Sequence, residues 1–119
     1  MSRVILIDID GTICDDIPNE QSHLFATAKP FLNAKETINK WYSEGNTIVF
    51  FTARETKDRQ ITLDWLNEHD FKYHQLITDK PRCKDGDEYI WIDNRKVRGV
   101  TYMGNWGELK EVDAKIKIF

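Results

Sequence analysis

Cysteine is scarce in this sequence, and the two cysteines present, Cys14 and Cys83, are too far apart for a C-x-x-C pair. Neither a zinc site built on paired cysteines nor a disulfide-stabilised secreted fold is therefore indicated. A reducing compartment fits this cysteine usage, and we expect a cytoplasmic protein. Proline accounts for only 3 residues and glycine for 6, which excludes collagen-like and low-complexity chains.

An excess of one charge and a long apolar run are also lacking. Lysine and arginine number 17 against 20 aspartate and glutamate, for a net charge of −3. No basic footprint for duplex nucleic acid or an anionic membrane is present. The apolar run Val4-Ile5-Leu6-Ile7 is broken by Asp8 and Asp10, and it is far shorter than the roughly 20 residues of a membrane span. We expect no membrane partner.

The composition that remains is that of a globular chain. Hydrophobic residues make up 40% of the sequence and aromatic residues 12%, enough to bury a core. A chain of 119 residues lies within the usual range of one domain. We therefore expect residues 1–119 to form a single domain.

Two nearly continuous aliphatic runs, residues 4–9 and 47–51, lack the alternation of a half-exposed strand. Such runs are typical of central strands in a parallel sheet, which are covered on both faces. Between them, the segment 34–41 carries apolar residues at helical spacing, and Pro30 and Gly45 limit the predicted helix. The pattern predicts a β-α-β unit.

Further elements follow along the chain. The sequence predicts a second helix that starts near Thr56 as its N-cap and ends near residue 69, then strands at 73–77 and 89–92. The weaker elements are a strand at 99–103, a helix at 106–114 and an edge strand at 115–118. Alternating strands and helices predict an α/β fold with a mostly parallel sheet flanked by helices, whose ligand site lies at the carboxyl ends of the strands.

Polar residues follow three of the predicted strands, as Asp8-Ile9-Asp10-Gly11-Thr12, Thr52-Ala53-Arg54 and Asp93-Asn94-Arg95. Carboxylates gathered at one edge of a sheet repel one another unless a cation relieves the repulsion. Oxygen ligands favour Mg²⁺, which commonly binds one or two carboxylates together with phosphate oxygens. The pattern therefore indicates phosphate chemistry.

The same segments, in this order, resemble the motifs of the haloacid dehalogenase-like phosphohydrolase superfamily. Residues 5–12 match its first motif, a hydrophobic strand followed by DxDGT, and residues 50–54 and 90–94 are similar to its second and fourth motifs. Lys80 matches the lysine of the third motif better than Lys84 does. The resemblance implies a Rossmann-like core without a cap domain, as in capsule-biosynthesis sugar phosphatases and polynucleotide phosphatase domains.

The resemblance also implies roles for residues of the first motif. Asp8 would attack phosphorus and form an aspartyl-phosphate, and Asp10 would serve as the general acid and base. The phosphate-binding residues that it implies are Asp8, Ile9, Asp10, Thr52, Ala53 and Lys80. Of these, Thr52 and Lys80 are counted with Asp8 and Asp10 as catalytic residues.

The resemblance implies a magnesium site as well. Its ligands would be the carboxylates of Asp8 and Asp93 and the backbone carbonyl of Asp10. Many relatives carry a second acid where this chain has Asn94, so that position adds no charge. Arg54 is left open between a substrate contact and a pair with a surface acid.

The substrate is predicted only by class. Neither interval in which relatives insert a cap has room for one, so the cleft is expected to be open. We expect a sugar phosphate of polysaccharide biosynthesis, with a neighbouring copy of the chain covering the cleft, and the alternative is the phosphorylated end of a polynucleotide or a nucleotide. Alternatives of another class are a receiver-like phosphoacceptor and a non-catalytic phosphate-binding module.

Overall fold

The computed structural model describes residues 2–111. They divide into two compact units, of which the first ends at Pro81 and the second begins at Arg82. Within residues 2–111, no helix is both long enough and apolar enough to cross a membrane.

The first unit contains a parallel three-stranded sheet of β1 (Val4–Ile7), β2 (Thr47–Phe51) and β3 (Gln75–Ile77), in the order β1-β2-β3. Ile7 of β1 lies opposite Phe50 of β2, and both residues are buried. The three strands confirm that 4–9, 47–51 and 73–77 contain strands. The prediction that 4–9 is a central strand covered on both faces is wrong, because β1 lies at the edge of the sheet that residues 2–111 form, with only β2 beside it, and Val4 and Leu6 are exposed. The parallel register brings the carboxyl ends of all three strands to one edge of the sheet.

Two helices flank this sheet, α1 (Ala34–Ser43) and α2 (Arg59–Glu68). Both confirm the predicted helices. The prediction of Thr56 as the N-cap is wrong, because Thr56 begins a short 3-10 turn and Asp58 occupies the N-cap position of α2. The physical reason is that the Thr56 hydroxyl bonds to the carboxylate of Asp79 instead of to a helix N–H group.

The core of the first unit lies between the sheet and the elements packed on it. Phe50 at the centre of β2 is fully buried, and its ring meets the ring of Phe71 edge-on at 5.9 Å. Trp65 of α2 is also buried, and its indole N–H donates to the carbonyl of Ala28 at 2.8 Å. Ala28 directly follows a 3-10 segment, Asn19–Thr27, so this hydrogen bond holds α2 against the end of that segment. The first unit therefore has an α/β fold.

In the second unit, the regular elements within residues 82–111 are two short strands, β4 (Val100–Thr101) and β5 (Lys110–Glu111), which pair antiparallel. β4 confirms the predicted strand at 99–103 in shortened form. The strand predicted at 89–92 is wrong: these residues form no regular structure, and Ile92 is 84% exposed. An apolar run becomes a strand only where a neighbouring backbone supplies the ladder, and this unit places its ladder elsewhere.

The helix predicted at 106–114 is also wrong for the residues described, because a turn at 106–107 leads into β5. The N–H of Gly107 donates a hydrogen bond to the side-chain oxygen of Asn105 at 2.8 Å. Glycine and this local bond both favour a turn over a helix at this point. Residues 112–114 and the edge strand predicted at 115–118 lie outside the described residues.

Candidate active site

The chain turns sharply after β1, in the segment that carries the DxDGT motif. The carbonyl of Ile9 accepts hydrogen bonds from the N–H groups of Thr12 and Ile13, at 3.0 and 2.9 Å. Gly11 has φ +76°, and its N–H donates to the carbonyl of Cys14 at 3.0 Å. This closed turn holds both aspartates of the motif at the carboxyl end of the sheet.

The left-handed backbone at Gly11 predicts a specific cost for a side chain there. Gly11→Ala should destabilise the fold by about 1 to 2 kcal/mol, because φ is positive, although the added Cβ would meet only Asp16, at an ordinary 3.4 Å. Gly45→Ala is the matched control, since Gly45 has φ +94° and open space around it. Urea unfolding should show a similar loss for both variants, whereas only Gly11→Ala should lower phosphatase activity. Equal activity of the two variants would contradict a role for this turn in the site.

Asp8 is the most accessible acid of the motif, with 38% of its side chain exposed. Its Oδ2 accepts a hydrogen bond from the Thr12 hydroxyl at 3.0 Å, and its Oδ1 lies 3.6 Å from the Nζ atom of Lys80. The two contacts fix the carboxylate without closing it off. A carboxylate that is oriented, ionically paired and open to solvent can act as a nucleophile toward a phosphate.

The loop after β3 is tied to the loop after β2 by backbone hydrogen bonds. The N–H of Thr52 donates to the carbonyl of Ile77, and the N–H of Lys80 donates to the carbonyl of Thr52, both at 2.9 Å. A third bond runs from the N–H of Asp79 to the carbonyl of Arg54, at 2.8 Å. These bonds continue the β2–β3 ladder past the strands and carry Lys80 to the position beside Asp8.

Asp79 anchors this loop from its other side. Its carboxylate accepts hydrogen bonds from the hydroxyl of Thr56, from the hydroxyl of Thr78 at 3.0 Å and from the N–H of Thr56 at 3.3 Å. The Thr56 hydroxyl is the main reason that the pKa of Asp79 lies below its usual range. Asp79 therefore stays ionised at neutral pH and keeps the loop before Lys80 attached to the start of the 3-10 turn.

Thr52 is buried, and its hydroxyl oxygen accepts the N–H of Arg54 at 3.1 Å. This contact uses the oxygen as an acceptor, so the hydroxyl proton is left for a different partner. The carbonyl of the neighbouring Ala53 accepts the amide of Asn19 at 3.0 Å. Ile9 is fully buried, backbone included, and its carbonyl is engaged by the N–H groups of Thr12 and Ile13.

Asp10 is held by a residue that the sequence did not assign. Arg54 donates from Nε and from a terminal nitrogen to the two oxygens of the Asp10 carboxylate, at 2.9 and 2.7 Å. Arg54 therefore pairs with an acid inside the site and not with a surface acid. A signal was available in the sequence, because both residues lie three positions beyond the ends of paired parallel strands, β1 and β2.

Cys14 lies in the same turn but does not compete with Asp8 as a nucleophile. Its side chain is buried, and this burial, more than the nearby charge of Asp10, raises the pKa of Cys14 to about 12. The thiol therefore stays protonated at neutral pH, and a protonated thiol is a poor nucleophile.

Asp93, the third acid of the predicted magnesium site, belongs to the second unit and follows no strand. The N–H of Arg95 and the indole N–H of Trp91 donate to its carboxylate, at 2.9 and 3.2 Å. The bond from Arg95 is the main cause of a pKa of Asp93 below the usual range. Among residues 2–111, no group of three or more histidine, cysteine, aspartate or glutamate side chains converges as a metal site.

Solved structures support the fold. A structural-genomics target from Vibrio cholerae matches with a TM-score of 0.60 and 25% identity, over 82% of this chain and 83% of the other. A chain of a Pnkp1/Rnl/Hen1 complex matches with a TM-score of 0.60 and 18% identity, over 71% of this chain and 31% of the other. A chain of the Pnkp1/Rnl/Hen1 RNA repair complex matches with a TM-score of 0.58 and 17% identity, over 75% and 28%. Among curated proteins, no sequence matches.

A family model identifies the chain at the level of sequence. The model for the LNS2 domain of PITM 1-3 matches residues 5–105, which include the DxDGT motif and all of the first unit's sheet except Val4. That family is one of haloacid dehalogenase-like phosphatases, so the predicted enzyme class is confirmed. The chain belongs to the LNS2 domain family and is a phosphatase of the haloacid dehalogenase-like class.

Proposed function

We propose that this chain is a Mg²⁺-dependent phosphomonoesterase that forms an aspartyl-phosphate on Asp8. The observation that carries the proposal is the setting of Asp8, which is 38% exposed and lies 3.6 Å from the ammonium group of Lys80. A second carboxylate, Asp10, is held separately by Arg54. Two carboxylates in two different environments suit a nucleophile and an acid/base catalyst.

The proposed reaction has two steps. In the first, an oxygen of Asp8 bonds to phosphorus while the bond to the leaving oxygen breaks, and Asp10 gives its proton to that oxygen. In the second, water attacks the phosphorus, Asp10 takes a proton from this water, and the electrons of the broken bond return to the Asp8 carboxylate. Lys80 and the hydroxyl of Thr52 would stabilise the negative charge on the phosphoryl oxygens in both steps, with backbone groups at Ile9 and Ala53 lining the phosphate site.

The ligands proposed for the metal are all oxygens, which suit a hard cation such as Mg²⁺. The proposed magnesium ligands are the Asp8 carboxylate, the Asp10 backbone carbonyl and Asp93, of which Asp93 rests on the sequence motif alone. The engagement of the Asp10 carboxylate by Arg54 is consistent with a role for its carbonyl instead. When bound, Mg²⁺ would offset the repulsion between Asp8 and the phosphate.

The proposed substrate is a sugar phosphate. The described residues between β1 and α1 contain only the 3-10 segment Asn19–Thr27, without an inserted domain, so a second copy of the chain would be needed to cover a small substrate. The same openness favours the alternative, a phosphorylated polynucleotide end. We propose that residues 1–119 form one domain, because the family match crosses the boundary after Pro81. A cytoplasmic location is proposed from the cysteine usage alone.

The test is phosphate release from sugar phosphates, nucleotides, and 3′- and 5′-phosphorylated oligonucleotides, with Mg²⁺ or with EDTA. EDTA should lower the rate by about 100-fold or more, since a bound metal supplies several kcal/mol of charge stabilisation, and added Mg²⁺ should restore it. Selective turnover of one class identifies the substrate. An unchanged rate in EDTA would contradict the metal, and no release from any member of the panel would contradict the proposed substrates.

A further inference from the structure

Arg54 is the most deeply buried charged side chain described in the first unit, and its charge is matched inside the site. Its side chain is fully buried, and that of Asp10 is 15% exposed. Nε and a terminal nitrogen of Arg54 reach the two Asp10 oxygens at 2.9 and 2.7 Å. A buried arginine is tolerated when its charge is paired, and two parallel hydrogen bonds fix direction as well as distance.

The arginine is itself held on several sides. Its remaining terminal nitrogen donates to the Thr62 hydroxyl at 3.1 Å, and that hydroxyl donates to the carbonyl of Asp58 at 2.8 Å. The guanidinium carbon lies 3.8 Å from the centre of the Phe25 ring, close enough for a cation–π contact. Residues from α2 and from the 3-10 segment therefore orient Arg54, and Arg54 in turn orients Asp10.

The two-bond geometry matches one form of Asp10 better than the other. A carboxylate accepts on both oxygens, whereas a carboxylic acid carries a hydrogen on one of them and loses the symmetric match to the guanidinium. The deprotonated form is the one that takes the proton of water in the second proposed step. Each Asp10 oxygen keeps another lone pair for that proton while it is bonded to Arg54.

We infer that Arg54 is a positioning residue for the second step, in which it holds the Asp10 carboxylate in the orientation that deprotonates the attacking water. In that step the oxygen of water bonds to phosphorus, the bond from phosphorus to Asp8 breaks with its electrons returning to Asp8, and the proton of water goes to Asp10. The inference rests on the proposed function. It assigns to Arg54 no contact with the substrate.

The test uses Arg54→Lys with 2,4-dinitrophenyl phosphate, whose phenolate leaves without a proton, so that the first step does not need Asp10. Lysine keeps the charge but cannot make the two parallel bonds. The rate of the initial burst of dinitrophenolate should change little. The steady-state kcat should fall by about 100-fold, the cost of a misplaced catalytic group, and KM should fall with kcat because phosphoenzyme accumulates.

Asp10→Asn separates the failure of this inference from the failure of the proposed function. It should show the same burst followed by slow turnover. If Asp10→Asn shows the burst and Arg54→Lys instead loses burst rate and steady-state rate by one common factor, Arg54 is merely structural and the inference is overturned. If Asp10→Asn shows no burst, or Asp8→Asn still turns over, the proposed function itself fails.

A second variant keeps the test valid if Arg54→Lys does not fold. Thr62→Val removes the acceptor for Arg54 and leaves Asp10 and its two bonds in place. It should raise the ratio of burst rate to steady-state rate severalfold, whereas Thr37→Val, the same change in α1, should leave the ratio at the wild-type value. A wild-type ratio in Thr62→Val would contradict the inference.

Discussion

Asp8→Asn should abolish phosphate release, with kcat lowered by about 10⁴-fold or more, the scale seen when a covalent nucleophile is removed. The amide has nearly the shape of the carboxylate, so the Thr12 hydroxyl and the turn around Gly11 can remain in place. What is lost is the charge that attacks phosphorus and pairs with Lys80 at 3.6 Å. Phosphate release with Mg²⁺, over the substrate panel, measures the effect.

Asp15→Asn is the matched control for this variant. Asp15 lies a few residues further along the same loop, is exposed, and accepts the N–H of Lys29 at 3.0 Å. The same change of acid to amide there should leave turnover close to the wild-type rate. Full activity in Asp8→Asn, with its fold verified by circular dichroism, would refute the assignment of the nucleophile.

Asp10→Asn should lower steady-state turnover by about 10²- to 10⁴-fold, the usual contribution of general acid and base catalysis. The amide can neither protonate the leaving oxygen nor take a proton from water. The loss in kcat/KM should be larger for phenyl phosphate than for 2,4-dinitrophenyl phosphate, because the phenolate of the former leaves poorly without a proton. The measurement is kcat/KM for both substrates in the variant and in the wild type.

An equal loss of kcat/KM on the two substrates would contradict the acid role of Asp10. Folding must be checked separately, because the change also weakens the paired bonds to the buried Arg54. Urea unfolding provides this check. A stable Asp10→Asn with an unselective loss would leave Asp10 as a structural partner of Arg54.

The first unit is predictable from sequence because the runs at 4–9 and 47–51 are almost wholly apolar, as is typical of strands in a parallel sheet. Ile48, Val49 and Phe50 of β2 are buried as this pattern predicts, whereas Val4 and Leu6 of the edge strand β1 are exposed. The observed β1 pairs in parallel with β2 over its whole length, from Val4 to Ile7. The helix between them follows from its apolar spacing and from the left-handed Gly45 beyond its end.

The second unit is less predictable because short apolar segments do not specify their partners. Residues 89–92 have strand composition but no regular structure, and the strands that do form are two residues long and joined by a pairing that the sequence does not reveal. Thr56 has the composition of a helix cap, yet a carboxylate that follows β3 binds its hydroxyl. Both differences arise from contacts between distant parts of the chain.

The candidate site also has a part that the sequence predicts and a part that it does not. Asp8, Asp10 and Thr52 follow directly from strand ends and from the motif, and the structure brings Lys80 to Asp8 through bonds between the loops after β2 and β3. The partnership of Arg54 with Asp10 joins residues 44 positions apart and depends on the register of β1 and β2. A sequence gives the residue types at such a site more readily than it gives their pairing.

The site at which the enzyme carries the phosphoryl group tests the role of Asp8 as nucleophile directly. Asp10→Asn is mixed with 2,4-dinitrophenyl phosphate and Mg²⁺, quenched in acid within one turnover, and analysed by intact and peptide mass spectrometry. We expect one added phosphoryl group per chain, on the peptide that contains Asp8, and none in the variant that also carries Asp8→Asn. Dinitrophenolate release without an adduct, or an adduct on a different residue, would contradict this role.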